Sequence, residues 1–243
     1  MEIEANLSGH NYCITVPCYD EMIASPTCLS LLETSAKLTE LNVKHSFVII
    51  RGGALIHQVR NELTHKFLHE TDCDTMVCID SDISWEWEAM QRLLVFSHYY
   101  PIVAGVYPMR KDPPGFFVNG YGGPETANEH GLLACRGTGM GFVAITRKAL
   151  EQIPAPTYFS PQYPEYPMKA YFQCGLVNNR SFGEDIWFFE EAYKAGITTM
   201  IDPGIDLLHH GKKTYDYQFR HAVQKDILSE GEIPLAFPNG VKK

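Results

Sequence analysis

Across the first 110 residues, short apolar runs alternate with stretches of helical period, an order that points to a layered, mostly parallel sheet. Tyr12 to Val16 reads as a first strand. Ser25 and Pro26 offer an N-cap and a first-turn proline to a helix whose apolar positions are Leu29, Leu32, Ala36 and Leu41. His45 to Ile50 is a second strand, and Ile56, Val59, Leu63, Phe67 and Leu68 form a stripe of helical period. Thr75 to Ile79 is a short, largely apolar strand of the kind buried on both faces. A helix starting near Ser84 carries Trp87, Met90, Leu93 and Leu94, and Pro101 to Tyr107 is a fourth strand.

After Pro108 the texture changes. Pro113, Pro114, Gly115, Gly120, Gly122, Gly123 and Pro124 forbid long regular elements and predict irregular covering structure. Leu132 to Cys135 and Phe142 to Thr146 read as strands around the turn Gly137 to Gly141, with a short helix from Arg147. Pro154 to Phe182, rich in Pro and Tyr, reads as a second irregular stretch of the sort that serves as a functional loop or lid. Glu184 to Ala195 is a helix stopped by Gly196, and strands at Ile197 to Ile201 and Ile205 to Leu208 precede a C-terminal tail.

Composition narrows the class. The 243 residues carry 20 Lys and Arg against 29 Asp and Glu, a net charge of −9, with 45% hydrophobic and 20% charged residues. This is an ordinary globular mixture, unlike a disordered, collagenous or coiled-coil chain. Uncharged apolar runs such as Phe47 to Ile50 fall far below the ~18 residues of a membrane span. The opening Met-Glu-Ile-Glu is acidic where a secretory leader is basic, and seven cysteines are an odd number for a disulfide framework. Both predict reduced thiols and a cytoplasmic location. Cys13 with Cys18 and Cys73 with Cys78 repeat one spacing, which allows a four-thiolate zinc site as an alternative to plain core cysteines. The acidic balance argues against a surface built to coat nucleic acid but leaves room for a local basic groove.

Three segments carry chemistry. In Met76-Val77-Cys78-Ile79-Asp80-Ser81-Asp82 an apolar strand ends in two acids one residue apart, which an extended chain aims to the same side. Ligands of open α/β sheets bind at such strand ends. Paired carboxylates suit a hard divalent cation, Mn2+ or Mg2+, completed by phosphate oxygens; a polar turn capping the next helix explains them equally well. Phe182-Gly183-Glu184-Asp185-Ile186-Trp187 sets two acids in a first helical turn, which the helix dipole alone would favour. Leu207 to Lys213 presents His209 and His210 before a glycine and two lysines, candidates for a metal ligand and for phosphate contacts.

In this order the segments resemble the GT-A class of nucleotide-sugar glycosyltransferases, particularly the family-2-like inverting enzymes and their short bacteriophage relatives. Val16-Pro17-Cys18-Tyr19-Asp20-Glu21 looks like the opening strand and nucleotide-binding turn, with Arg60-Asn61 on the following helix. Asp80-Ser81-Asp82 matches the DxD motif, Gly137 to Gly141 the glycine turn before the acceptor-side strand, Glu184-Asp185 the ED pair, and His209 with Gly211 the late His-x-Gly.

The resemblance implies a single catalytic domain over residues 1–243: a nucleotide-sugar half (1–110), an acceptor half (111–211) and a tail (212–243). Asp82 and Asp80, with His209 or its neighbour His210, would hold the metal. Asp185 would be the general base and Glu184 would orient donor or acceptor. Pro17, Tyr19, Glu21, Arg51, Arg60, Asp80, Ser81 and Lys212 would meet the donor, a UDP-sugar in first place, and Gly139, Met140 and Trp187 the acceptor. Asp20 is the alternative to Glu21, and Arg110 a further candidate at the diphosphate. The acceptor stays open between a hydroxymethylated pyrimidine in phage DNA, which would place the protein in host cytoplasm, and a glycan or protein hydroxyl. The aromatic motif of processive polysaccharide synthases and their membrane helices are not recognisable, which points to single transfers. Competing readings are a metal-dependent nucleotidyltransferase or nuclease using the same acids, and a catalytically silent nucleotide-sugar-binding module. Oligomeric state is not legible.

Overall fold

A computed structural model describes residues 6–160, 163–177 and 179–224; the tail from 225 onward lies outside the described residues. Its core is a seven-stranded sheet. In chain order the elements are β1 (Asn11–Cys18), α1 (Ser25–Glu40), β2 (Lys44–Arg51), α2 (Ile56–Glu70), β3 (Thr75–Ile79), β4 (Ile83–Trp85), α3 (Trp87–Phe96), β5 (Ile102–Ala104) and β6 (Val118–Asn119). They continue as β7 (Leu133–Cys135), β8 (Gly137–Thr138), β9 (Phe142–Thr146), α4 (Arg147–Gln152), β10 (Thr157–Ser160), β11 (Tyr163–Lys169), β12 (Gly175–Val177) and β13 (Arg180–Phe182). The chain closes with α5 (Glu184–Lys194), β14 (Thr199–Ile201), β15 (Leu207–His209) and α6 (Phe219–Gln224).

The main sheet runs β2-β1-β3-β9-β5-β14-β7. β2, β1, β3, β5 and β14 are mutually parallel in direction, while β9 and β7 run against them. This mixed, mostly parallel sheet flanked by helices is the expected α/β architecture. β9 and β14 bring the chain after residue 111 into the sheet begun by β1, β2, β3 and β5, so both halves share one set of strands. Two apolar layers cover the faces, one around Phe67, Met76, Val143 and Phe188, the other around Ile14, Leu38, Val77 and Phe142. Among the described residues no helix is long and apolar enough to cross a membrane.

Four local expectations are corrected. Leu29, Leu32, Ala36 and Leu41 of the α1 region face solvent, and the buried face is Thr27, Ser30, Leu31, Thr34 and Leu38. The reason is polar: Ser30 Oγ donates to the Trp85 carbonyl at 2.7 Å, and Thr34 Oγ1 accepts the Trp85 indole N–H at 3.0 Å. Small hydroxyl residues thus satisfy a buried backbone where leucines would leave it bare. Ser25 is already helical and Ala24 precedes it as the cap residue. Ser84 belongs to strand β4, and the helix starts three residues later. The stretch from Pro154 to Phe182 is largely two antiparallel hairpins, β10–β11 and β12–β13.

The seven cysteines are free, and burial pushes the thiols of Cys13 and Cys78 up to about 11, so they are neutral core residues. Among the described residues no three His, Cys, Asp or Glu side chains group as a metal site, so the four-cysteine zinc alternative has no support.

The end of α2 is closed from a distance. Arg147 donates to the carbonyls of Phe67, Leu68, Thr71 and Cys73 at 2.9 to 3.0 Å, and its guanidinium lies 4.5 Å over the Phe67 ring. Those carbonyls have no successor turn to serve. Replacing Arg147 with Met is expected to lower unfolding free energy by about 2 to 3 kcal/mol in urea denaturation, and Lys should recover little because it lacks the planar fork.

Candidate active site

Strand β3 delivers Asp80 to the end of the sheet where β9 begins, and the Asp80 N–H donates to the Gly141 carbonyl at 3.0 Å. The chain then turns through Ser81 and Asp82 into β4. That short strand pairs antiparallel with β15, setting His209 opposite Ile83, and the His210 N–H donates to the Asp82 carbonyl at 2.8 Å. Two residues 127 positions apart in sequence, Asp82 and His209, thereby face each other with Oδ2 and Nε2 at 3.6 Å. The pairing of β4 with β15 could not be read from the sequence, because three residues are too few to show a period.

His209 is held by its other nitrogen, Nδ1, 2.7 Å from the Pro108 carbonyl. A carbonyl only accepts, so Nδ1 donates there and Nε2 is left facing Asp82. His210 is turned elsewhere, toward Ser84 Oγ at 2.8 Å and Thr214 Oγ1 at 3.3 Å, so His209 is the imidazole directed at Asp82. Arg110 Nη2 also reaches Asp82 Oδ2, at 3.1 Å. Burial raises the Asp82 pKa, but His209 and Arg110 outweigh it and hold the carboxyl below its ordinary value.

The second half of the site is built on Arg60. It is 5% exposed on α2; Nη2 donates to Asp80 Oδ1 at 2.7 Å and Nε to Glu184 Oε1 at 3.4 Å. Arg60 thus ties the acid at the end of β3 to the first turn of α5. Its guanidinium is committed within the protein, not free at a donor diphosphate. Asp185, next to Glu184, is pushed up to about 6, first by burial and then by the Glu184 charge, with its own Oδ1 accepting the Ile186 N–H at 2.7 Å. Such a carboxyl is mostly ionised near neutrality yet a far better proton acceptor than an exposed aspartate.

Tyr107 closes the floor and was not foreseen as a site residue. It is half-buried, its hydroxyl accepts the Gly141 N–H at 3.2 Å, and its ring meets His209 edge-on at 5.2 Å. Burial first, then Asp80 and Asp185, raises its hydroxyl well above the ordinary value, so it stays a neutral phenol. The glycine turn exists to admit it: a Cβ on Gly139 would lie 2.3 Å from the Tyr107 hydroxyl, and one on Gly141 2.7 Å from Asp80 Oδ2. No larger residue fits without displacing an acid or the phenol.

The other expected contacts are spread around this centre. Pro17 is buried at the end of β1, Tyr19 is 67% exposed on the following turn, and the Ala24 N–H at that turn's end donates to the Ser81 carbonyl at 2.8 Å. Glu21 and Arg51 line a cleft of about 520 Å3 that also takes in Gly52 and Gln58 but none of Asp80, Asp82, Glu184 or Asp185. Lys212 is exposed beyond His209. Met140 is 1% exposed and belongs to the core, so only its backbone could face an acceptor. Trp187 is half-buried on α5, 3.9 Å from where a Cβ on Gly175 of β12 would stand.

A divalent cation fits Asp82 and His209. Ligand distances of roughly 2.1 Å put two adjacent donors roughly 3 Å apart, so a small closure of the 3.6 Å gap suffices. With two protein ligands, the remaining positions fall to phosphate oxygens and water.

No protein-family model matches the sequence, and no curated protein matches it. Among solved structures the chain is similar to the crystal structure of A197 from STIV, with a TM-score of 0.52 and 19% identity over 83% of this chain and 86% of that one. At that identity the likeness is one of fold. The chain also aligns to GalNAc-T7 with UDP, GalNAc and Mn2+, at a TM-score of 0.47 and 8% identity over 84% of this chain and 44% of that one. It therefore spans under half of that protein, and the likeness bears on neither site nor chemistry.

Two outcomes follow from the charges. Asp185 has its folded pKa raised to about 6 from 3.8, so stability present at low pH is lost as pH rises between those values. Asp185→Asn should therefore be more stable than wild type by about 3 kcal/mol at pH 8, with the difference gone by about pH 2 to 3, measured by urea midpoints. Arg60→Met leaves Asp80 and Glu184 without a counter-charge and should cost about 3 to 5 kcal/mol at pH 7, less as acid protonates them.

Proposed function

We propose that the protein is a metal-dependent, inverting glycosyltransferase that moves one sugar from a nucleotide sugar, UDP-linked in first place, to a hydroxyl acceptor. The observation that carries this reading is the separation of tasks among acids at one sheet end: Asp82 facing His209 with a lowered pKa, and Asp185 set apart with a raised one. Acids held in opposite protonation tendencies mark acid–base assignments.

Asp82 and His209 would hold Mn2+ or Mg2+, which as a Lewis acid would neutralise the departing diphosphate. Asp185 takes the proton of the acceptor hydroxyl. The oxygen then bonds to the anomeric carbon from the face opposite the leaving group, and the bond from that carbon to the diphosphate oxygen breaks with its electron pair on the nucleoside diphosphate. Arg60 holds Glu184 in place beside the base. Tyr107, a neutral phenol under Asp80 and His209, excludes water from the floor of the site. Arg110 lies between Asp82 and the His210 carbonyl and would meet an incoming diphosphate there.

The test is a panel of nucleotide sugars with Mn2+, read as donor binding by titration and as donor hydrolysis or transfer by mass spectrometry. Asp185→Asn should keep donor binding and lose about 10^2- to 10^4-fold in turnover. His209→Ala and Asp82→Asn should lose the metal dependence of donor binding. Absence of donor binding across the panel, or full turnover in Asp82→Asn, would overturn the assignment. Pyrophosphate release from nucleoside triphosphates that survives Asp185→Asn would instead indicate a nucleotidyltransferase.

A further inference from the structure

The residue next to Arg60 on α2 is as buried as Arg60 and has a different task. Asn61 is 3% exposed, and its amide meets the backbone of Phe172, 111 positions later: Nδ2 donates to the Phe172 carbonyl and Oδ1 accepts the Phe172 N–H, both at 2.8 Å. An asparagine holds a donor and an acceptor in one plane, so it can serve both backbone groups of a buried residue that lies outside any strand. The Tyr158 hydroxyl of β10 reaches the same amide. Phe172 sits between the β10–β11 and β12–β13 hairpins, and Asn61 therefore fixes the point where they join.

From that point the chain runs along the start of α5. The Phe172 ring stacks on Phe188 with centroids 4.8 Å apart and planes 12° from parallel, both rings being buried. Phe188 stands one turn after Glu184 and Asp185. Two residues beyond Phe172 the Cys174 thiol takes the Glu184 N–H, and Gly175 passes the Trp187 ring. Residues 172–175 thus form a wall against the turn that carries Asp185. Two neighbours on α2 act on that one turn, Arg60 through the Glu184 carboxylate and Asn61 through Phe172. The charged and titratable groups facing Asp185 are Glu184, Arg60, Asp80, Cys174 and the Tyr107 phenol, while the Asn61 amide is committed to Phe172 and Tyr158.

We propose that Asn61 is a positioning residue for Asp185: by clamping Phe172 it keeps residues 172–175 packed on the first turn of α5 and water away from the carboxyl, an inference that rests on the transferase reading only for the role of Asp185 as base. The test uses the full chain, labelled with 13C at the aspartate carboxyls and titrated by NMR without donor. Asn61→Leu removes the amide bonds at similar volume, and Asn61→Ser is a milder change in which the hydroxyl and a water replace part of them. Phe172→Leu keeps the bonds to Asn61, which are made by backbone, and removes the ring that meets Phe188. All three are neutral replacements, so no charge near Asp185 is altered.

Asp185 should titrate at about 6 in the wild type. Asn61→Leu and Phe172→Leu should each lower its midpoint by about one unit toward the ordinary aspartate value, with Asn61→Ser in between. The double variant should fall no further than the larger single one, because both act along one chain of contacts. An Asp185 midpoint unmoved by the substitutions, moved at Asn61 but not by Phe172→Leu, or moved additively would overturn the proposal; a merely structural asparagine lowers the urea midpoint and leaves the titration in place. With a donor that is turned over, kcat should fall about tenfold at unchanged donor KM. A shifted titration in a protein that binds no donor sinks the transferase and keeps the placement, and donor turnover with an unmoved Asp185 does the reverse.

Discussion

A guanidinium in the interior of a protein demands partners, and Arg60 takes two acids that the chain supplies 104 residues apart, Asp80 and Glu184. Desolvation alone would push the Arg60 charge off; the two carboxylates more than restore it. Because one acid ends β3 and the other begins α5, satisfying that one charge fixes where the later helix sits on the sheet. Asp185 is then carried into a buried position beside the Glu184 charge, and its high pKa follows from that placement.

The metal half of the site depends on a smaller device. β4 and β15 are three residues each, too short to be stable alone, yet their pairing sets His209 beside Asp82. They survive because Trp85 is gripped by Ser30 and Thr34 of α1, and because Tyr107 and the Pro108 carbonyl fix the His209 ring. The cost is paid in permissible residues: Gly139 and Gly141 have no room for a methyl group.

The strands and helices of the first half were legible because buried strands and one-sided helices leave periods in sequence, as Val59, Leu63 and Phe67 do. α1 misled because its buried face is made of hydroxyl residues chosen for hydrogen bonds to Trp85, and hydrophobic period cannot register that. The region from 154 to 182 looked irregular because β11 is mostly exposed and carries Pro164 and Pro167, which read as strand breakers in sequence although both lie within the strand. Asp80, Asp82, Asp185 and His209 stood out as residue types at strand and helix ends, and the structure brings them to one end of the sheet. Tyr107 carried no signal, since a tyrosine at a strand end is common.

The sequence by itself determined the class of fold and the supply of acids, because both are written in local order: apolar runs that must be buried and carboxylates placed where those runs stop. Tertiary structure alone decided what each acid is. Whether a carboxylate ends with a depressed pKa, like Asp82, or a raised one, like Asp185, depends on which distant charge is brought beside it and how much water is removed, and neither quantity exists until the sheet closes.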